Sequence, residues 1–503
     1  MGSPEESPQL ASNENAEAMF SDNASTLFDM KEIERLGRIR PECFKTLWSE
    51  IGFVLSICMA QILVEYYVSG FNVLVPVIID ALDIPPESST WPASSFSLVI
   101  ACFLLPMGRF SDMYGGKRLF ILGVGWLVIF SIVGGIAKNQ LMLVFARALA
   151  GLGPAAFLPS SVMLLGSVYR PGPRKNLLAL VFFHWCHLDR DFFFLAWASM
   201  PDDRDERASF GMKMDWPGAA MIVSGLILVV FSFTASPGAP QGWRTPYIPV
   251  AFCLGLVTLG IAVWWEGWMA EQPLLPIEIF KVKMFPAVVG AMFMQYGGLG
   301  IFLLYTTYYM DTILGGSPLK IVAWFSPMCV GGIIIAAAGG FVLHILSGTI
   351  LMLIAGVSWI VAPLLFAIMP ENASYWAFVF PAMVTGTIGI DVSFNITNIF
   401  ITTGLPKRQQ GLAGAIINSN MHLSIAFFLG LAEILAHETR HAGKRRSYEY
   451  VFWFEVGLAS IALLIMLVFV RLDKAKSDLT ADEKERLRKQ EEANGSSTTI
   501  ESQ

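Results

Sequence analysis

The 503-residue sequence is 54% hydrophobic and 15% charged, with a formal net charge of −6 and a mean hydropathy of +0.57. Soluble domains carry about a quarter charged residues, so this balance excludes an ordinary soluble enzyme or a nucleic-acid-binding module and points to an all-α polytopic membrane protein. Of six cysteines, Cys58, Cys102, Cys253 and Cys329 sit in apolar runs, which indicates neither a disulfide framework nor a metal site; no cofactor is expected.

Residues 1–50 form a polar tail, rich in Ser, Asn and Glu up to Thr26 and read there as disordered. Lys31, Arg35, Arg38, Arg40 and Lys45 then gather before the first apolar run, which places the N-terminus in the cytoplasm. That run begins near Ile51, is too long for a signal-peptide core and has no cleavage site, so a removable leader is not expected.

Twelve runs near the ~20 residues that a bilayer requires follow, at 51–79, 94–110, 119–137, 141–168, 217–234, 247–267, 285–310, 319–343, 348–368, 376–402, 412–436 and 450–470. Counting inward from the N-terminus, Lys117/Arg118, Arg170/Arg174/Lys175, Lys281/Lys283, Lys407/Arg408 and Lys474/Lys476 all fall on the cytoplasmic side, so both termini are expected there. The loop 437–449 falls outside yet carries Arg440, Lys444, Arg445 and Arg446, against the positive-inside pattern.

Between the second and third runs lies Gly108-Arg-Phe-Ser-Asp112-Met-Tyr-Gly115-Gly-Lys117-Arg118. The spacing suits a short boundary loop in which glycines let two helix ends approach and the acid faces a helix N-terminus. A plain positive-inside turn explains the two bases equally well.

Residues 176–200 are anomalous. Leu177 to Phe183 and Phe192 to Met200 are apolar, but His184, His187, Asp189, Arg190 and Asp191 interrupt them, and both flanks read as cytoplasmic. A single crossing cannot join two loops on one side, so this segment is expected not to span. His184, Cys186, His187 and Asp189 lack the defined support a metal site needs. The tail after Arg471 is charged and opens a polar helix with the capping pair Thr480 and Glu483.

Ionisable groups at bilayer depth cost roughly 2.5–3.5 kcal/mol on insertion scales, so each is a functional candidate. Arg147 lies well inside its run, before Gly151-Leu-Gly153-Pro154, and its guanidinium must meet a carboxylate or a substrate unless it forms a fixed interhelix pair. Asp391, Asn395, Asn398 and Thr402 share one helical face, and a stripe of that kind lines a cavity or packs against protein. Glu65, with Gln61 one turn before it and Asn72 about two turns after, is a candidate proton carrier. Glu433 and Glu455 read as rim residues near helix ends. Prolines 76, 106, 154, 327, 363 and 381 interrupt several runs, as moving helices tolerate.

Gly108-x-x-x-Asp112-x-x-Gly115-x-Lys117-Arg118, Arg147-x-x-x-Gly151-x-Gly153-Pro154, Asn72-x-x-x-Pro76, and Asp391-Val-x-Phe394-Asn395 with Gln409-Gln410-Gly411-Leu-Ala-Gly414 together resemble the major facilitator superfamily. More narrowly the chain is similar to its fungal fourteen-span drug:proton antiporter branch. The resemblance covers about 45–180 and 200–472. It implies two six-helix bundles, alternating access and a midplane cavity. It also implies proton coupling through Arg147, Glu65 and Asp391, gating by Gly108, Asp112, Gly115, Lys117 and Arg118, and a substrate cavity at Asn72, Asn395, Asn398 and Thr402.

Three departures stand out: Tyr67 occupies the place of the first-span acid, the fifth-span motif has no counterpart, and only 176–200 stands where spans five and six belong. The expected organisation is therefore a cytoplasmic tail (1–50), an incomplete N-terminal bundle (51–200), a linker helix pair (201–284) opened by Asp215-Trp-Pro-Gly218, a six-helix C-terminal bundle (285–472) and a second tail (473–503). An ordinary six-plus-six arrangement, with 217–267 completing the first bundle, is the alternative. The function implied is proton-coupled efflux of small amphipathic compounds by a plasma-membrane monomer, whose partners are a small-molecule substrate, protons and the lipid bilayer, without nucleic acid. Nutrient uptake by the same fold, a non-transporting sensor or a defective truncated transporter are the alternatives.

Overall fold

A computed structural model describes residues 43–44, 46–168, 200, 213–281, 284–371, 373–404 and 410–470. The terminal tails, the capping pair Thr480/Glu483 and the anomalous stretch 176–199 lie outside the described residues. So do the side chains of Asn398 and Thr402, although the backbone there is helical.

Twelve helical stretches among the described residues are long and apolar enough to cross a membrane. The first is α1 (Leu47–Glu65), a π turn (Tyr66–Gly70) and α2 (Phe71–Ala81) in continuous succession. It is followed by α3 (Trp91–Tyr114) and α4 (Gly116–Gly135). The fourth span is α5 (Gln140–Ala150) and α6 (Leu152–Val168), joined at Gly151. Then come α7 (Trp216–Ala235), α8 (Tyr247–Trp268), α9 (Phe285–Thr312), α10 (Pro318–Ile345), α11 (Gly348–Ala367), α12 (Val379–Gly404), α13 (Gln410–Glu438) and α14 (Lys444–Phe469). These spans coincide with the twelve expected runs, because a helix apolar on every face satisfies its backbone internally and needs no polar side. Short polar side chains fix several starts: Thr46 accepts from the Ser49 amide at 3.2 Å and Asn139 from the Met142 amide at 2.8 Å.

The stretch 108–118 is not the loop its composition suggests. α3 runs through Asp112 to Tyr114 and α4 starts at Gly116, so the whole reversal falls on Gly115, whose φ of +92° an L side chain would adopt only under strain. Asp112 accordingly lies in the last turn of α3, three residues before the reversal at Gly115.

α3 packs along α13, while α6 lies against both α3 and α4. Gly123 of α4 and Gly153 of α6 face each other so closely that a Cβ on either would lie 2.7 Å from the other's carbonyl oxygen. α9 packs against α13 and α14, and α11 against α12 and α14. Phe366 and Phe452 stack at 5.2 Å in that second group. α7 and α8 form a hairpin whose first helix rests on the seam between α3 and α13, with Val230 beside Leu98, Cys102 and Ala426. Asp215 caps α7 through the Gly218 amide at 3.1 Å and also accepts from the Trp265 indole of α8 at 3.1 Å.

Arg445 of the loop that breaks the positive-inside pattern is bound to Glu371 at 3.0 Å and Glu449 at 2.9 Å, and Arg440 to Glu87 and Glu433. Glu371 and Glu87 from other segments, with the nearby Glu433 and Glu449, thus offset part of the local excess of positive charge. The rim assignment of Glu433 and Glu455 is corrected: both are almost wholly buried, at 2% and 1% exposure. Their helices are flanked by protein at these positions, with Glu455 packed on Gly298 of α9.

Candidate functional site

The π turn organises the first span. Its closing amide, Phe71 N–H, bonds back to the Tyr66 carbonyl, one residue further than an α-helix allows. Glu65 is the last residue before the turn and Tyr67 lies within it. Pro76, inside α2, has no N–H to give the Asn72 carbonyl. Asn72 itself is buried, with its side-chain oxygen unbonded among the described residues. Glu65 and Tyr67, two apart along the helix, face different surroundings.

On one face, Glu65 hydrogen-bonds Gln61 and lies within electrostatic range of Asp391 of α12. Tyr296 of α9 senses both carboxyls, donates its hydroxyl to the Ile390 carbonyl at 3.3 Å and contacts Ser393. Asn395 donates to the Asp391 carbonyl at 2.8 Å, which bends the polar stripe back onto its own helix. Two acids from spans far apart in sequence, with a phenol between them, therefore share one region at bilayer depth. Gly332 of α10 closes its flank, where a Cβ would stand 3.2 Å from an Asp391 oxygen.

On another face, Tyr67 turns to α4 and hydrogen-bonds Ser131, while its ring stacks on Phe96 at 5.6 Å. Arg147, 5% exposed, donates to the Tyr67 carbonyl at 2.9 Å and to the Pro92 carbonyl. Its guanidinium lies 3.4 Å from the centre of the Phe71 ring and 5.2 Å from that of Phe96. Of the two partners expected for Arg147, a carboxylate or a substrate, the first is not met: among the described residues it is held by two carbonyls and two aromatic faces. Glu65 and Asp391 are brought together, and Arg147 stands apart from them, linked through the backbone of the π turn. A half-open cavity of about 480 Å³ adjoins it, walled by Tyr66, Tyr67, Phe71, Phe130, Ser131 and Arg147 among others.

At the Asp112 end the helices close tightly. Gly108 of α3 faces Pro159 of α6 and Ala415 of α13, with a Cβ at 3.5 and 3.8 Å from them. Gly414 is tighter, since a Cβ there would lie 2.9 Å from Val162. Ser419 of α13 donates to the Ala101 carbonyl of α3 at 2.8 Å. Arg109 grips the Gln272 and Pro273 carbonyls at 3.0 and 2.9 Å, tying α3 to the segment after α8. Lys117 is half-buried and Arg118 exposed.

Sequence reading missed Tyr296 and the π turn. The run Gln295-Tyr296-Gly297-Gly298 inside an apolar span was the available signal for the first; hydropathy carries none for the second. Among the described residues no group of three or more metal-ligating side chains occurs.

A family model described as the Major Facilitator Superfamily matches residues 57–186. The chain is 28% identical to the efflux pump terJ of Aspergillus terreus, covering 91% of this chain and 94% of that one. It is 27% identical to the low affinity ammonium transporter of Saccharomyces cerevisiae, over 89% and 93% of the two chains. It is 26% identical to the multidrug transporter mdr3 of Aspergillus fumigatus, over 83% and 79%. The match to terJ extends over 497 aligned positions while covering 91% of a 503-residue chain, so part of that relative has no counterpart here. Among solved structures, the nucleoside transporter NupG superposes with a TM-score of 0.50 at 13% identity, over 84% of this chain and 99% of its own. The fold is that of an all-α, multi-pass membrane protein.

Proposed function

We propose that this major facilitator superfamily transporter exports small, partly apolar compounds in exchange for protons. The observation that carries the reading is the juxtaposition of Glu65 and Asp391 around Tyr296. Two carboxyls sharing one low-dielectric region compete for protons, so substrate arrival and proton departure are coupled there.

In this reading Arg147 acts through the π turn. By gripping the Tyr67 carbonyl it sets the orientation of Glu65 two residues earlier, and movement of the fourth span against the second changes that grip. Asn72, Asn395, Asn398 and Thr402 offer polar contacts to a substrate whose body is otherwise met by aromatic and aliphatic side chains. Gly108, Asp112, Gly115, Lys117 and Arg118 belong to the cytoplasmic gate, where α3 and α6 meet α13. Both termini are cytoplasmic, and the Arg440 end faces outward.

The domain proposal keeps an incomplete N-terminal bundle (51–200), a linker pair (201–284) and a C-terminal bundle (285–472). The seat of α7 on both α3 and α13 supports the linker assignment over a helix pair that completes the first bundle. The surplus sequence of terJ supports a chain shortened relative to that pump, and the proposal places the shortening at 176–200, where two expected spans are missing.

Uptake is the second reading, favoured by similarity to the ammonium transporter. Direction is tested by loading proteoliposomes containing the full chain with either ammonium or a lipophilic dye and imposing a pH gradient. Dye movement against the proton flux supports efflux, whereas ammonium accumulation without dye movement supports uptake.

A further inference from the structure

At the end of the helices opposite Asp112, a charged cluster lies outside the coupling site described above. Arg440, in the turn Arg440–Ala442 after α13, reaches two acids at once. One Nη lies 3.2 Å from a Glu87 oxygen and the other 3.4 Å from a Glu433 oxygen. Glu87 sits in the turn Pro86–Ser88 between the first and second spans, so the Arg440–Glu87 pair joins the two halves of the chain. Glu433 lies in α13, and its other oxygen accepts the Tyr305 hydroxyl of α9 at 3.1 Å. One residue beyond the Glu87 turn, the Ser89 carbonyl accepts the Tyr308 hydroxyl at 3.5 Å.

The two ion pairs differ in kind. Arg440 and Glu87 are both half-exposed, so water and salt screen their attraction. Glu433 is buried, and its pull on Arg440 is much less screened. Arg445, five residues on, is occupied by Glu371, Glu449 and the Met369 carbonyl, which leaves Arg440 to bridge the halves. The position of the bridging guanidinium therefore depends on whether one buried carboxyl is charged.

We propose that Glu433 is a proton-binding residue that sets an interbundle latch at this end of the transporter. Ionised, it holds Arg440 in line with Glu87 and keeps the end shut. When a proton bonds to its carboxylate the negative charge is lost, the inner ion pair goes with it, and Arg440 swings free on its turn. The neutral acid keeps its contact with Tyr305. The opening of this end as a step of transport rests on the alternating-access reading above; the latch itself does not.

The groups facing Glu433 are few. Arg440 and Glu87 approach from the turns, Tyr305 and Tyr308 from α9, and Tyr448 from α14. α7 brings the uncharged Thr234 against Gly430. His437, one turn along α13, has a buried Nδ1 unbonded among the described residues, and Glu438 and the buried His422 are the further titratable groups on this helix. Asp311, at the same end, interacts with Asp80 and Lys444 in a separate set.

The test uses the full chain in nanodiscs, with its six native cysteines replaced and a reporter at Val75→Cys. Val75 is 1% exposed in α2, which meets α9 and α10 across the halves. Labelling by an impermeant thiosulfonate is normalised to Leu319→Cys, 83% exposed, which removes the thiol's own pH dependence. Lowering the pH from about 7.5 to about 5.5 is expected to raise the normalised rate roughly tenfold, a population shift within reach of one charge. Glu433→Gln is expected to label fast at both pH values, and His437→Gln to keep the pH response. The exchange Glu87→Arg with Arg440→Glu is expected to label fast at both pH values, with or without Glu433→Gln, because the screened outer pair alone does not hold the end shut and the buried carboxyl no longer attracts residue 440. A merely structural role for Glu433 moves the variants but not the pH response of the parent. Slow labelling of monodisperse Glu433→Gln, or no pH response in the parent, overturns the proposal. Labelling requires no transport, so a transport-inactive chain can still carry the latch.

Discussion

Replacing Arg147 with lysine separates its charge from its shape. Arginine reaches the Tyr67 and Pro92 carbonyls together and lies flat between Phe71 and Phe96. A lysine ammonium keeps the charge, but its single point cannot bridge both carbonyls or fill the aromatic slot. A hydrogen bond from a charged group contributes about 1.5–3 kcal/mol. Loss of one such bond shifts the balance between π-turn arrangements by roughly 10- to 100-fold. Arg147→Lys should therefore insert and fold, while pH-gradient-driven export in proteoliposomes falls by about tenfold or more. Hydrogen exchange at the amides of 68–71 should accelerate in parallel. Arg147→Ala loses both carbonyl bonds and the ring contacts, so driven export should disappear while folded protein persists. Undiminished driven export in either variant, with the 68–71 amides still protected, would refute the clamp.

Glu65→Gln and Asp391→Asn should each abolish export driven by the pH gradient, while substrate exchange at equal pH on both sides survives; loss of both activities alike would point to misfolding. Gly414→Val places methyls where a Cβ already meets Val162 at 2.9 Å, an overpacking that costs about 1–3 kcal/mol. It should bias the chain toward opening at the Asp112 end, read as faster labelling of a buried cysteine there. Asp215→Ala removes a cap and the Trp265 contact, should cost about 1 kcal/mol and lower the melting temperature without changing proton coupling. Sequencing transcripts across Leu180 to Pro201 should reveal whether a longer message restores about two helices, roughly 40 residues at the ~20 that a span needs.

The spans were legible because bilayer depth leaves a coarse signal: about twenty apolar residues, whatever their neighbours. The Asp112 stretch was legible as a junction but not as a helix. Glycine and charge composition marked a turn, yet one residue, Gly115, suffices to make it. Glu65 and Asp391 were legible as costly acids at bilayer depth. Their meeting was not, since it depends on how the first span packs against α12 and on Tyr296 from a third helix. Arg147 was expected to seek an acid or a substrate because a sequence displays only side chains. Its actual partners are backbone carbonyls, one of them presented by a π turn that hydropathy cannot register. The same blindness hid the cluster at Arg440: Glu433 lies seven residues back on α13, but Glu87 comes from the turn between the first two spans.

Proton coupling is tested most directly with the purified full chain in proteoliposomes, an imposed pH gradient and rhodamine 6G as the amphipathic probe. The account predicts that the dye moves uphill only while the gradient lasts, that a protonophore stops it, and that Glu65→Gln and Asp391→Asn fail to move it. Dye movement indifferent to the gradient, or no movement by a monodisperse and correctly inserted chain, would contradict the account.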